Sequence, residues 1–153
     1  FKKWQFSLGA VLAVFHDVLI VLGVFSLTYK FLPFSMEIDQ AFIAAILTVI
    51  GYSLNDTVIV FDRIREYFDE HPTKDVVTNV NAAINSTLSR TLMTSFTTLL
   101  VVLILFTFGG EAIRGFSFAL LMGILVGTYS SIFIASAILV DTMKGADKVK
   151  KKR

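Results

Sequence analysis

The stretch QAFIAAILTVIGYSLNDTVIVF, residues 40–61, decides the fold. About 20 residues at 1.5 Å rise cross a hydrocarbon core of about 30 Å, so this run is long enough to span a bilayer. Its only charged residue is Asp56, and Asp62-Arg63-Ile64-Arg65-Glu66 closes it with a burst of charge. Three further runs have the same character: residues 7–29, 88–108 and 113–140. The sequence therefore predicts an all-α membrane protein with four transmembrane helices.

The segments between the runs carry turn and cap chemistry. Lys30, Pro33, Glu37 and Asp39 make the first connection polar. Pro72 breaks the second helix, and Thr73 is placed to cap the next. From 73 to 88, Val76, Val77, Val80, Ile84 and Leu88 recur among polar residues at helical spacing. This pattern predicts an amphipathic cytoplasmic helix lying at the membrane surface. Gly109-Gly110 ends the third membrane helix. Residues 1–143 form the membrane domain, and 144–153 form a basic cytoplasmic tail.

Composition agrees. Of 153 residues, 55% are hydrophobic and 17% charged, and the mean hydropathy is +0.73. A soluble domain carries more charge, spread more evenly. The absence of cysteine removes disulfides, thiolate metal sites and cysteine nucleophiles, and the two histidines do not make a metal site. A formal charge of +2 is too small for a nucleic-acid partner. The chain opens on Phe1 with no basic n-region or cleavage site, so it is expected to be a piece of a longer protein rather than a leader and mature domain.

Basic residues set the orientation. Lys2, Lys3, Arg63, Arg65, Lys74, Arg90 and every lysine and arginine from Lys144 onward fall on one side; Lys30 and Arg114 alone fall on the other. Both termini and the middle connection are expected to be cytoplasmic. Trp4, Phe6, Tyr29, Phe31 and Phe34 stand where interfacial aromatic belts belong.

Several residues inside the apolar runs bear chemistry. His16-Asp17 lies near the middle of the first helix, where an acid costs roughly 2.5–3.5 kcal/mol on insertion scales. That cost presses Asp17 toward a polar interior, as a structural hydrogen bond or as part of transport. Asp56 lies roughly 9 Å inside the cytoplasmic end of its helix, six residues at 1.5 Å each. A buried acid beside Ser53 and Asn55 can bind and release a proton. Ala41, Ala44, Thr48, Gly51 and Asn55 share a face expected to pack inward. The third helix begins with Arg90 among hydroxyls that include Thr94 and Thr98. Arg90 either pairs with Asp56 or snorkels to lipid phosphates. Gly115, Ala119, Gly123, Gly127, Ser131 and Ala135 form a ladder at i, i+4 spacing, a seam for close helix approach, fixed or sliding. Asp62–Arg65 and Arg65–Asp69 are spaced as ion pairs on a solvated helix extension.

Gly51-Tyr-Ser-Leu-Asn-Asp-Thr-Val running into Asp62-Arg-Ile-Arg-Glu closely resembles the SecF family, the smaller half of the SecD–SecF protein-export complex. His16-Asp17, Ser89-Arg-Thr with Thr94-Ser95 and Thr97-Thr98, Phe108-Gly-Gly with Gly115-Phe-Ser, and Gly127-Thr-Tyr-Ser-Ser-Ile carry the same resemblance in order. It implies an RND-type half of six helices, of which this chain matches the last four. It implies a proton-motive-force-driven accessory role in Sec-dependent translocation across the bacterial cytoplasmic membrane. Asp56 and Arg90 match positions implicated in proton conduction, and a further proton-carrying acid belongs to SecD. The implied partners are SecD, separate or fused, the SecYEG translocon, translocating preproteins and membrane lipids. Protons are the coupling ion, with no cofactor and no metal.

The alternative is an RND-type exporter of small molecules or lipids, which shares the helix core and buried acid. A bundle with no transport role would also show four spans. An intramembrane hydrolase lacks its motifs here, since neither G-x-S-x-G nor H-E-x-x-H occurs, so no enzyme is expected.

Overall fold

The computed structural model describes residues 4–151, with side chains described through residue 145. Lys2, Lys3 and the basic tail beyond 145 lie outside those side chains. Five α-helices follow in order: α1 (Trp4–Thr28), α2 (Gln40–Glu70), α3 (Val76–Phe108), α4 (Glu111–Tyr129) and α5 (Ala135–Lys151). A single π-helical turn, Ser130–Ile134, joins α4 to α5. Among the described residues, four helical stretches are long and apolar enough to cross a membrane: α1, α2, α3 and the joined stretch Glu111–Gly145.

Local chemistry sets the ends. Asp39 caps α2, its carboxylate accepting from the Phe42 amide at 2.8 Å. The Gly109 amide donates to Leu105 O at 2.8 Å and closes α3. Gly110 then takes φ 77°, a conformation that glycine adopts without a Cβ penalty. At the other end of the bundle α2 stops at Glu70. Asn79 Nδ2 donates to His71 O at 3.0 Å and pins the connection to α3.

Two expectations give way here. The amphipathic segment 73–88 and the third membrane helix are one continuous helix, α3. No glycine or proline interrupts residues 76–108, so the helix continues where its pattern changes. Its first turns pack on α2 through Val80 and Ala83 against Val60, Phe61 and Ile64. The cap is Asp75, whose carboxylate accepts from the Val77 amide at 3.3 Å, rather than Thr73. At 31 and 33 residues, α2 and α3 are about 46 and 50 Å long at 1.5 Å per residue. Both exceed the hydrocarbon core, so their joined ends extend past it as a helical hairpin.

The interior has three layers. At one end, Phe6, Ala10 and Ala13 of α1 pack with Val60, Phe61, Ile64, Val80, Ala83, Ala135 and Leu139. Phe6 is 2% exposed and meets Phe61 edge-on at 5.3 Å. It is a core residue, unlike Trp4, which stays 63% exposed as a belt residue would. At the other end, Val21, Phe25, Phe42, Ala45, Val49, Val102, Ala119 and Ile124 form a second apolar cluster. Between the two clusters the buried residues turn polar: Asp17, Ser53, Asp56, Thr57, Thr91, Ser95, Thr128, Ser130 and Ser131. Outside, Val11, Phe15, Leu47, Met93, Phe96, Ile104 and Phe133 are exposed, the surface expected of a protein solvated by lipid.

The fourth stretch fits the bundle through its small residues. A Cβ added at Gly123 would lie 2.9 Å from Val49 Cβ and closer still to both Val49 methyls. One added at Gly127 would lie 3.3 Å from Ser53 Cβ, and one at Gly115 2.8 Å from Ser35 O. Ala119, Ser131 and Ala135 are each 0% exposed. On α2, Ala44, Thr48, Gly51 and Asn55 are exposed, against the expectation that they pack inward. The inward face of α2 is Phe42, Ala45, Val49, Ser53, Asp56, Thr57 and Val60. The glycines of α4 accept the bulk of that face, leaving the small face of α2 outside.

Candidate functional site

The middle layer divides into two adjoining groups. The first centres on Asp17, which is 1% exposed at mid-helix in α1. Ser53 Oγ donates to Asp17 Oδ2 at 2.5 Å, and Ser130 Oγ donates to the same oxygen at 2.7 Å. His16 Nδ1 lies 3.1 Å from Oδ1. The hydroxyls of Ser131 and Thr57 are bonded at 3.1 Å. Ser131 Oγ also reaches Gly127 O at 2.8 Å and Ser53 O at 3.4 Å. Together these bonds tie α1, α2 and the π turn.

The second group centres on Asp56, one turn along α2 from Ser53. Asp56 is 4% exposed, and its buried Oδ2 has no hydrogen-bond partner among the described residues. A carboxylate oxygen left this way in a low-dielectric interior costs free energy. It borders a cavity of about 110 Å³ lined by Tyr52, Asn55, Asp56, Ile59, Arg90, Thr91 and Thr94. Arg90 thus shares a cavity with Asp56, and no ion pair within 4.0 Å joins them. Arg90 and Ile59 also line a much larger open cleft, about 850 Å³, with Asp62, Arg63, Arg65, Glu66, Asp69, Glu70, Ser86 and Thr87. The same two residues border the acid's cavity on one side and a charged, open cleft on the other.

The residues singled out from sequence fall as follows. His16, Asp17 and Ser53 come together in the first group. Asn55, Asp56, Arg90 and Thr94 come together around the cavity, with Thr94 Oγ1 donating to Arg90 O at 3.1 Å on its own helix. Thr98 joins neither group and donates to Thr94 O at 2.8 Å. On the extension, Asp62 meets Arg65 at 3.7 Å, and Arg63 pairs with Glu66.

Sequence reasoning quoted Thr57, Ser130, Ser95, Thr128 and Tyr52 within the motifs of the resemblance but did not name them among the site residues. Ser95 and Thr128 hydroxyls are bonded at 2.6 Å, and Tyr52 OH donates to Ser95 Oγ at 3.1 Å, so Tyr52 links α3 and α4 to the cavity wall. One signal was visible: Ser130-Ser131 are adjacent hydroxyls in an apolar run. Both stand in the π turn, and both are buried.

Comparison with known proteins gives one consistent result. Residues 1–145 match the family of the protein export membrane protein SecD/SecF, C-terminal. The chain is 66% identical over 139 residues to the protein translocase subunit SecF of Rhodothermus marinus, covering 91% of this chain and 45% of that protein. It is 56% identical to the SecF subunit of Desulfurispirillum indicum, covering 89% of this chain and 42% of the relative. It therefore spans less than half the length of the curated relatives it matches. Among solved structures, SecDF in a super-membrane-facing form matches with TM-score 0.86 at 44% identity, covering 97% of this chain and 20% of that one. SecDF from Thermus thermophilus, a translocon-associated membrane protein, matches with TM-score 0.82 at 47% identity over 93% of this chain and 19% of that one. The chain belongs to the SecD/SecF protein-export family, in whose SecF branch it forms the C-terminal transmembrane part.

Proposed function

We propose that this chain is the proton-conducting part of an accessory subunit for Sec-dependent protein translocation, with Asp56 as the proton-carrying acid and Arg90 as its electrostatic partner. The observation that carries this reading is the Asp56 carboxyl. It is buried, one oxygen is unbonded, and it opens on a cavity whose wall includes Arg90. Structural carboxylates in such settings are satisfied, as Asp17 is by two hydroxyls. An unsatisfied one is suited to taking up a proton and losing it.

A route supports the role. The cavity and the charged cleft share Ile59 and Arg90, so a small movement there admits water from the cleft to the acid. The excess of lysine and arginine around that cleft supports a cytoplasmic position for it, in a chain read as lying in the bacterial inner membrane. On the other flank, the exposed Ala44, Thr48, Gly51 and Asn55 face of α2 suits close helix packing, and SecD is the partner that would cover it. The remaining partners of the whole subunit are the SecYEG translocon, preproteins and lipids. One proton crossing 100 mV releases about 2.3 kcal/mol, comparable to the cost of a modest conformational shift.

The test places Asp56→Asn and, separately, Arg90→Ala in the full-length parent with its SecD partner. Proton-motive-force-dependent preprotein export is expected to fall in both, at normal protein abundance. Normal export by both variants would rule the relay out.

A further inference from the structure

We propose that Asp17 is a positioning residue for the Asp56 site: its carboxyl clamps α2 and the π turn of the fourth span together, and so fixes how Asp56 sits in its cavity. The proposal rests on the proton reading of Asp56 for its functional meaning, and on interhelical hydrogen bonds for its geometry.

The clamp grips α2 on both sides of Asp56. On one side Ser53 Oγ donates to Asp17 Oδ2, and Ser53 O accepts from Ser131. On the other, Thr57 bonds Ser131. Residues 53 and 57 are one helical turn apart on a single face, so holding both fixes the rotation of α2 about its axis. Asp56 lies between them, directed by that rotation toward Arg90 instead of the serines.

The π turn belongs to the same device. The Ala135 amide bonds Ser130 O, an i→i+5 closure, so one extra residue fits into the turn. Within it Ser130 and Ser131 both face inward, at 0% exposure, and one reaches Asp17 while the other reaches Thr57. Gly127 lets the turn approach α2 closely, since a Cβ there would lie 3.3 Å from Ser53 Cβ, tighter than ordinary packing. A π turn sacrifices regular helix bonding, and here the carboxyl of Asp17 offsets that loss by accepting the Ser130 hydroxyl.

The chemistry distinguishes a clamp from a second proton carrier. An asparagine at 17 keeps an oxygen that accepts from both serines and an amide that donates to His16. An alanine keeps neither. Two readouts on the full-length parent with its SecD partner in bilayers decide. The first is amide hydrogen exchange of residues 53–57 and 127–136. The second is the carboxylic C=O stretching band of Asp56 at acidic pH, identified by its loss in Asp56→Asn. Asp17→Ala is expected to speed exchange by roughly tenfold or more, the weight of a lost buried hydrogen bond, and to shift the Asp56 band. Asp17→Asn is expected to leave both close to the parent. Should Asp17→Ala not accumulate, Ser53→Ala and Ser130→Ala decide on the same readouts, each with a smaller change in the same direction.

An unchanged band and unchanged exchange in Asp17→Ala, or in both serine variants, would overturn the clamp. So would Asp17→Asn shifting both readouts as far as Asp17→Ala, because charge rather than hydrogen-bond geometry would then be at work. A failure of the proton reading shows elsewhere: Asp56→Asn would export normally, whatever these two readouts give.

Discussion

Gly123→Ala should destabilise the bundle, although the substitution favours a helix. Relative to glycine, alanine gains about 1 kcal/mol of helix propensity at an unobstructed position. Gly23 is such a position, because a Cβ there meets nothing within 4 Å. At Gly123 the same methyl enters the space of Val49, whose side chain is 1% exposed and has no room to retreat. Overpacking of a filled core costs about 1–3 kcal/mol. The propensity gain is common to both sites and cancels in their comparison, so Gly123→Ala should be about 1–3 kcal/mol less stable than Gly23→Ala. Gly127→Ala belongs between them, since its methyl would stand 3.3 Å from Ser53 Cβ. Val49→Ala vacates the volume that the new methyl needs, so the Gly123→Ala/Val49→Ala pair should be more stable than the sum of its parts. Coupling between touching residues is of order 0.5–3 kcal/mol. The assay is thermal unfolding of the full-length parent in detergent, followed by loss of the monodisperse peak in size exclusion. Equal midpoints for Gly23→Ala and Gly123→Ala, or strict additivity with Val49→Ala, would refute the tight α2–α4 seam.

Three further perturbations probe the rest of the fold. Phe61→Ala removes a ring that is 0% exposed and packed edge-on to Phe6, and should cost about 3–5 kcal/mol, read in the same unfolding assay. Asn79→Ala removes one of the two bonds to His71 O, which keeps the Lys74 amide, and should cost about 1 kcal/mol. Limited proteolysis near residues 71–75 should then accelerate while the membrane-embedded fragments stay intact. Thr57→Val keeps the shape but loses the hydroxyl facing Ser131; because Ser131 retains Gly127 O, the loss should be only about 1 kcal/mol, detectable as a small drop in the unfolding midpoint.

The helices were legible because their signals are local. A run such as residues 40–61 reports its own length, and Gly109-Gly110 report the end of α3, whereas the cap expected at Thr73 falls instead to Asp75. The break expected near residue 88 failed for a local reason too: polarity changes there, but nothing in 76–108 interrupts backbone bonding. What was not legible depends on which faces meet. Small residues mark a face that permits close approach, and both α2 and α4 carry one. Nothing along the chain says that the α4 glycines face the bulky side of α2, leaving Ala44, Thr48, Gly51 and Asn55 exposed. The candidate site shows the same division. Asp17, Ser53, Asp56 and Arg90 were each visible as polar residues in apolar surroundings. Their separation into a satisfied carboxyl and an unsatisfied one arises from Ser53 and Ser130, which reach Asp17 from α2 and from the π turn.

The central claim is that Asp56 carries the proton, and proton flux tests it most directly. The full-length parent and its SecD partner, reconstituted in liposomes with a trapped pH-sensitive dye, should conduct protons under an imposed potential. Asp56→Asn should abolish that flux at equal incorporation, while Gly23→Ala leaves it at the parental rate. Parental proton flux through Asp56→Asn would contradict the account.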